Sequence, residues 1–423
     1  MILATLLLLL TFITMTQGSI QFGRSLRSQF LLEPQYTSLN HGSYGSIPRV
    51  LLPVLEELRL KSEVNPDRWL RREMFPVIEK NKQVVADLVN ADPQELVFVF
   101  NAMTGINTVA RSLPLEAGDK VIYFNTAYNS VESTIKFIKN SEKLKLIRID
   151  LAYPLDDNEV LAKIQETIER ENSKDDGEIK LCFMDAISSV PAVRFPFESA
   201  VKLVREHNIL SLVDGAHAVG QISLDLHKVD PDFFITNCHK WLYAPRGCAI
   251  LYVPFRNQRL IHPAIINSAY ADHSDPADKS VSFQDEFAWP GTADFSNFMC
   301  IEAAVEFRKS IGGEDAIMAY CRELAARGGD IAAEILGTKV MDNSGQIAMV
   351  NVEIPLTNVK LSDAQIIGIF IDKLLYEHNC MAPVYKHNDI WYTRLSAQVY
   401  NDESDFETVA KAILAVCQEL NKD

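Results

Sequence analysis

Lys240 sits between two apolar runs, Phe233–Ile235 and Cys248–Val253, that read as buried strands. His239 precedes it, and Pro245 and Gly247 mark a turn beyond it. An ammonium held between buried strands loses hydration, and a lysine condensed with an aldehyde avoids that penalty. Upstream, Asp214 follows the apolar run Ile209–Val213 and precedes Gly215, Ala216 and His217. That is the carboxyl end of a strand covered on both faces, where open α/β sheets place ligand groups. An acid there can keep a bound pyridine nitrogen protonated, so that the ring draws electrons. Singly, the lysine reads as a solvated loop residue and the aspartate as a helix cap. In this order and spacing they point to pyridoxal phosphate.

Other positions fit the same chemistry. The strand Leu96–Phe100 runs into Asn101, Ala102, Met103, Thr104 and Gly105 at a helix start, where free N–H groups and the helix dipole favour an anion. Met103 offers only its backbone there, and Thr104 offers a hydroxyl. Tyr128 follows the strand Lys120–Phe124 and could stack on a ring. Asp185, Ser188 and Ser189 follow the strand Ile179–Met184 and are candidates to face the cofactor's phenolic oxygen; the sequence does not choose among them. Arg394, in the strand Trp391–Ser396, has the planar fork that grips a carboxylate through two hydrogen bonds.

The elements that must carry these groups alternate strand and helix from Leu96 to Val253, which argues for a mostly parallel sheet with helices on both faces. Helices are expected over Arg49–Ser62, Phe75–Asn90, Asn158–Asn172 and Phe197–His207. Beyond Val253 the pattern loosens. Helices from Ser296 to Lys309 and onward to Arg327, strands Gln346–Val352 and Trp391–Ser396, and a helix Ala364–His378 make a smaller α+β lobe.

The Asp214 and Lys240 strings resemble the class V aminotransferase group of fold-type I pyridoxal phosphate enzymes, which includes cysteine desulfurases, kynureninase and isopenicillin N epimerase-like proteins. Ser38–Gly45 and Arg394–Asn401 are most similar to the epimerase-like branch, and the resemblance runs from about Phe22 nearly to the end. It implies an α/β large domain with a mostly parallel seven-stranded sheet over residues 46–295, an amino-terminal segment 22–45 packing with the small domain, and a small domain 296–423. It implies a pyridoxal 5'-phosphate bound to Lys240. Asp214 would hold the ring nitrogen, His217 would support Asp214 or contact the ring, and Tyr128 would stack. Ala102, Met103, Thr104, Asn237 and His239 would surround the phosphate. Arg394 would grip the substrate carboxylate, with Asn40 and His41 lining the substrate pocket. Thr292 would reach the phosphate from a second subunit, which implies a homodimer with shared sites. Cys380 stands near the position of a persulfide-carrying cysteine in one desulfurase branch; a packed, inert thiol is the other reading. The expected chemistry is α-proton removal from an amino acid, with carbon–sulfur cleavage favoured and transamination or epimerisation as alternatives. A binding protein that kept the fold and lost catalysis is disfavoured by the intact Lys240, Asp214 and Arg394.

The remaining features set limits. The 423 residues carry a net charge of −15, which argues against a nucleic-acid partner. His41, His217 and His239 form no ligand-spaced metal motif. Seven scattered cysteines are not a disulfide framework. Residues 2–14 are apolar and are followed by small residues to Gly18, so residues 1–18 read as a secretory signal, too short for a membrane span. A cytoplasmic protein with a different start is the alternative.

Overall fold

The computed structural model describes residues 21–275, 280–342, 346–357 and 359–422. The expected signal, residues 1–18, lies outside the described residues. Among those described, no helix is long and apolar enough to cross a membrane.

In chain order the main elements are α1 (Leu51–Val64), α2 (Met74–Val89), β1 (Leu96–Val99), α3 (Ala102–Ser112), β2 (Lys120–Phe124), α4 (Asn129–Glu142), β3 (Lys145–Ile149), α5 (Asp157–Asn172), β4 (Ile179–Asp185), α6 (Phe197–Glu206), β5 (Leu210–Asp214), β6 (Phe233–Asn237) and β7 (Ala249–Tyr252). Then come α7 (Ile301–Ser310), α8 (Gly313–Leu336), β8 (Met349–Glu353), α9 (Asp363–Tyr376), β9 (Val384–His387), β10 (Ile390–Ser396) and α10 (Glu403–Leu420).

Seven strands form one sheet in the order β1-β7-β6-β5-β4-β2-β3. Strand β7 runs antiparallel to both neighbours, and the other pairings are parallel. The central strands are apolar at nearly every position because both faces are covered. On β2, Val121 and Tyr123 face a layer with Ile106 and Val109 of α3 and Ile135 of α4. Ile122 and Phe124 face the other layer, with Ile164 of α5 and Val201 of α6. The chain crosses to β2 and β3 and then works back through β4, β5 and β6. The carboxyl ends of β1, β4, β5 and β6 therefore open on one cleft, the usual ligand position in such sheets.

The smaller lobe is a three-stranded antiparallel sheet, β9-β10-β8, packed against α8 and α9, with α10 lying against α8. Ile301, Ala304 and Val305 of α7 join the core of the large sheet, and Gly312 and Gly313, both with positive φ (125° and 84°), turn the chain into α8. The amino-terminal segment is built into the small lobe. Thr37–Ser38 pairs in parallel with Cys380–Met381, and Asn40 bridges to Ser396. Phe30 is wholly buried and meets the rings of Tyr243, Phe307 and Tyr400, so it spans the junction.

Helices α8 and α10 approach so closely that a Cβ on Gly328 would lie 2.3 Å from the Phe406 ring. Gly328→Ala is expected to lower stability by about 1–3 kcal/mol through overpacking. Phe406→Leu in the same chain should recover part of that loss in a denaturant titration, because the two positions share one contact.

Candidate active site

Lys240 lines a cleft of about 240 Å³ together with Ser43, Tyr44, Asn101, Ala102, Met103, Tyr128, Asp185, Ser189, Asp214, His217, Asn237 and His239. Its Nζ lies 3.2 Å from His217 Nε2. Trp241 Nε1 lies 3.3 Å from His217 Nδ1. An indole N–H can only donate, so Nδ1 accepts and the imidazole proton sits on Nε2. The Nε2–H then points at Lys240, and Nζ must offer a lone pair. Burial and the charges of Lys240 and Arg394 hold His217 well below its usual range, so it stays neutral. Burial, then the charge of Arg394, brings Lys240 down to about 8, with Asp214 opposing. Burial, Arg394 and the His217 hydrogen thus favour an uncharged amine, the form that attacks an aldehyde.

Asp185 and Asp214 are register partners on β4 and β5. Burial raises both, and the Asp214 charge raises Asp185 further. Asp214 has compensation: its Oδ1 accepts the Ala216 N–H at 2.9 Å, and Lys240 lowers it. Two adjacent buried acids do not both ionise, so Asp214 is the carboxylate and Asp185 the protonated partner.

At the start of α3, Asn101 caps the helix by accepting the Thr104 N–H at 2.9 Å. Asn237 Oδ1 accepts the Ala102 N–H, also at 2.9 Å, and so fastens β6 to the helix. Met103, between them, has no such cap and faces the cleft. His239 Nδ1 is engaged with the Cys248 carbonyl at 2.8 Å, which leaves Nε2 for a ligand. Burial lowers this imidazole to about 4, so it becomes a cation at neutral pH only beside an anion.

Arg394 is buried, and every partner it has among the described residues is neutral. Nη1 donates to the Ser189 carbonyl and hydroxyl, each at 3.1 Å. Nη2 donates to Asn40 Oδ1 and the Ser43 hydroxyl, each at 2.9 Å. Nε has no partner. Burial brings this guanidinium down to about 10, which marks a site that an anion would relieve.

The structure therefore offers a poised amine, a buried carboxylate, a helix start with His239 beside it, and an anion-seeking guanidinium. These residues fit pyridoxal phosphate and an amino acid. The aminotransferase class V family model matches residues 47–409. The chain belongs to that family. Its cofactor is pyridoxal 5'-phosphate.

Within the family, the chain is 34% identical to the hercynylcysteine sulfoxide lyase of Schizosaccharomyces pombe, over 94% of this chain and 98% of that one. It is 31% identical to an L-cysteine desulfhydrase-like protein of Epichloe uncinata, over 96% and 98%. The fold superposes on the apo structure of a cysteine desulfurase from Thermococcus onnurineus NA1 with a TM-score of 0.76 at 19% identity, covering 96% and 100% of the two chains.

Some family-based expectations place differently. His41 does not line the cleft. Its Nε2–H donates to the Lys240 carbonyl at 2.9 Å, its Nδ1 meets the Tyr400 hydroxyl at 3.0 Å, and burial keeps it neutral at about 4. It holds the lysine's backbone. Asn40 Oδ1 accepts from Arg394 Nη2 at 2.9 Å, and Asn40 is not among the residues that line the cleft. The Ser188 hydroxyl turns back to the Pro191 carbonyl at 2.6 Å, and Ser189 takes the wall position. The Thr104 hydroxyl bonds Asn101, and the residue lines a separate apolar groove. Cys380 is fully buried with its thiol pushed up to about 12, the opposite of the exposed thiolate a persulfide carrier needs. Thr292 is exposed outside this cleft.

Ser43, Tyr44, Trp241 and Arg246 carry no assigned role in the sequence reading, although all four lie inside the motifs that carry the resemblance. Arg246 donates to the Tyr44 and Gly45 carbonyls at 3.0 and 2.9 Å and clamps the loop. Gly45 (φ 65°) is required there, because a Cβ would lie 1.9 Å from the His239 carbonyl oxygen.

Two outcomes follow from this geometry. Asp185→Asn copies a protonated acid and should keep activity within a few-fold, whereas Asp214→Asn should lose about 100-fold or more in kcat. In the apo-protein, the rate of regaining the visible cofactor band should rise with pH through about 8 as Lys240 deprotonates. Arg394→Gln removes a charge that lowers Lys240, so it should move that midpoint to higher pH; an unmoved midpoint would contradict the assigned coupling.

Proposed function

We propose that the protein is a carbon–sulfur lyase that eliminates a sulfur leaving group from the β-carbon of a cysteine-derived amino acid. The observation that carries this reading is the buried Arg394, held only by neutral groups, directly behind Ser43 and Ser189 of the cleft that holds an amine lowered to about 8. The similarity to a sulfoxide lyase and to a desulfhydrase-like protein along nearly the whole chain favours sulfur departure over the other fates of an α-carbanion.

Bound pyridoxal phosphate supplies the electron sink for the pair left behind when the α-proton departs. Arg394 would orient the substrate carboxylate by exchanging its contacts to the Ser43 and Ser189 hydroxyls for the two carboxylate oxygens, while Asn40 Oδ1 and the Ser189 carbonyl hold the guanidinium plane. Lys240 Nζ takes the α-proton, a task suited to a base near neutral pKa. His217 Nε2–H donates to the lone pair of the resting amine and so keeps it unprotonated until the pair turns to the substrate. Asp214, the ionised acid of its pair, would hold the ring nitrogen. Tyr44, Met103 and Tyr128 also line the cleft. Sulfur release by elimination needs no protein thiol, which agrees with the burial of Cys380.

We also propose that the active unit is a homodimer. The groove lined by Phe75, Ile78, Ile265, Phe287 and Phe295 is apolar, and Ile265 and Ile266 are each 58% exposed beside it. Thr292, outside the cleft of its own chain, would then reach the partner's phosphate.

The assay is release of pyruvate and ammonia in equal amounts from cysteine sulfoxide conjugates and from cysteine. Lys240→Ala should abolish release. Arg394→Gln should raise KM by about 10- to 100-fold, the weight of charge-assisted hydrogen bonds, and Cys380→Ala should leave kcat unchanged. A keto acid retaining its sulfur, or inversion at Cα without ammonia, would overturn the lyase reading. Light scattering of Ile265→Asp, expected to be monomeric, tests the dimer.

A further inference from the structure

Outside the cleft, three residues distant in sequence converge behind the apolar groove. Glu286, on the short helix Phe283–Ala288, is almost fully buried, with 2% of its side chain exposed. His262 Nδ1 lies 2.9 Å from its Oε1, and His273 Nε2 lies 3.0 Å from its Oε2. All three donor atoms fall within 4.8 Å of one another. The two imidazoles stack with centroids 4.0 Å apart and planes 19° from parallel. None of the three lines the Lys240 cleft.

Hydrogen bonding accounts for only half of this cluster. Glu286 Oε1 is satisfied by His262 and receives the Ala271 N–H at 3.3 Å. Among the described residues Glu286 Oε2 is buried with no hydrogen-bond partner, although His273 Nε2 is 3.0 Å away. That oxygen therefore sits off the axis along which the ring nitrogen would donate. His273 Nδ1 is likewise buried with no partner among the described residues. A buried carboxylate oxygen left unbonded beside an imidazole is costly. A cation between the two removes the cost. Zinc binds imidazole nitrogen and carboxylate oxygen at about 2.0–2.2 Å, so two ligands on one tetrahedral ion lie about 3.3 Å apart, close to the separations seen.

We propose that His262, His273 and Glu286 form a zinc-type divalent metal site, with a water completing the coordination. Two imidazoles and one carboxylate select a borderline ion of this kind over magnesium or calcium, which take oxygen ligands. The side chain of His262 is 24% exposed, which leaves the fourth position a route to solvent. The ion is structural. It fastens the loop carrying His262 and His273 to the helix carrying Glu286, where Asn267 Nδ2 already bonds the Glu286 carbonyl at 2.8 Å. The Ser112 hydroxyl bonds the His262 carbonyl at 3.0 Å, so the same clamp touches the last residue of α3, whose first turn faces the cofactor cleft. The separations of 11 and 13 residues among the ligands match no metal motif, which is why the sequence does not show the site.

The test uses untagged holoenzyme, dialysed against a chelator and still showing its visible cofactor band. Calorimetric titration with Zn2+ should give one saturable equivalent per chain and a raised Tm. Glu286→Gln and His273→Asn should each lose that equivalent while retaining the cofactor band. Co2+ added to the wild-type protein should develop the intense visible d–d bands of a tetrahedral site, a readout that needs no variant to fold. Absence of a saturable equivalent in the wild type overturns the proposal, as does its persistence in a folded Glu286→Gln. Octahedral Co2+ spectra also overturn it. Neither readout depends on the reaction catalysed.

Discussion

The active site depends on one chain of contacts, Trp241 to His217 to Lys240. An indole that can only donate fixes the imidazole tautomer, and the imidazole then presents a hydrogen to the amine. A protonated lysine cannot satisfy that hydrogen, so the network is consistent only with a free lone pair. Desolvation acts in the same direction, and so does the unneutralised charge of Arg394. Much of the surrounding structure preserves this arrangement. Arg308, fully buried, bonds the Trp241 carbonyl at 2.6 Å and the Gly220 carbonyl at 3.0 Å while pairing with Glu314. His41 fixes the Lys240 carbonyl from the other side. The reactive amine is thus held through its own backbone and that of its neighbour, by groups that never meet a substrate.

The two halves of the site are built on different principles. The cofactor half uses strand ends of one sheet, whose register places Asp185 beside Asp214 and Asn237 against the start of α3. The substrate half uses loops and the smaller lobe, with Arg394 on β10 braced by Asn40, Ser43 and Ser189. Rigid strands suit a group that must stay, and a seam between lobes suits one that must come and go.

The sheet was legible because its strands are covered on both faces. Lys120–Phe124 and Phe233–Asn237, buried at every position, fall where the apolar runs place them. Many residues that line the cleft are legible for the same reason, since they stand at the ends of such runs. What stayed hidden involves contacts between distant segments. His41 reads as a pocket residue until its two nitrogens are seen committed to Tyr400 and Lys240. Ser188 and Ser189 are indistinguishable in sequence, and only the turn decides that one bonds Pro191 while the other reaches Arg394. The packing of α7 is not legible because it resembles any amphipathic helix, and its partners α1 and α2 precede it by more than two hundred residues.

The brace between Asn40 and Arg394 joins residues 354 apart in the chain. As the polypeptide leaves the ribosome, every strand of the large sheet is available once Tyr252 has emerged, so the nucleus that receives the cofactor can close early. The arm containing Thr37 and Ser38 must wait without its strand partner until Cys380 and Met381 are made. Synthesis thus has a built-in order, in which a nascent chain is able to hold the coenzyme well before it is able to hold the molecule on which the coenzyme acts.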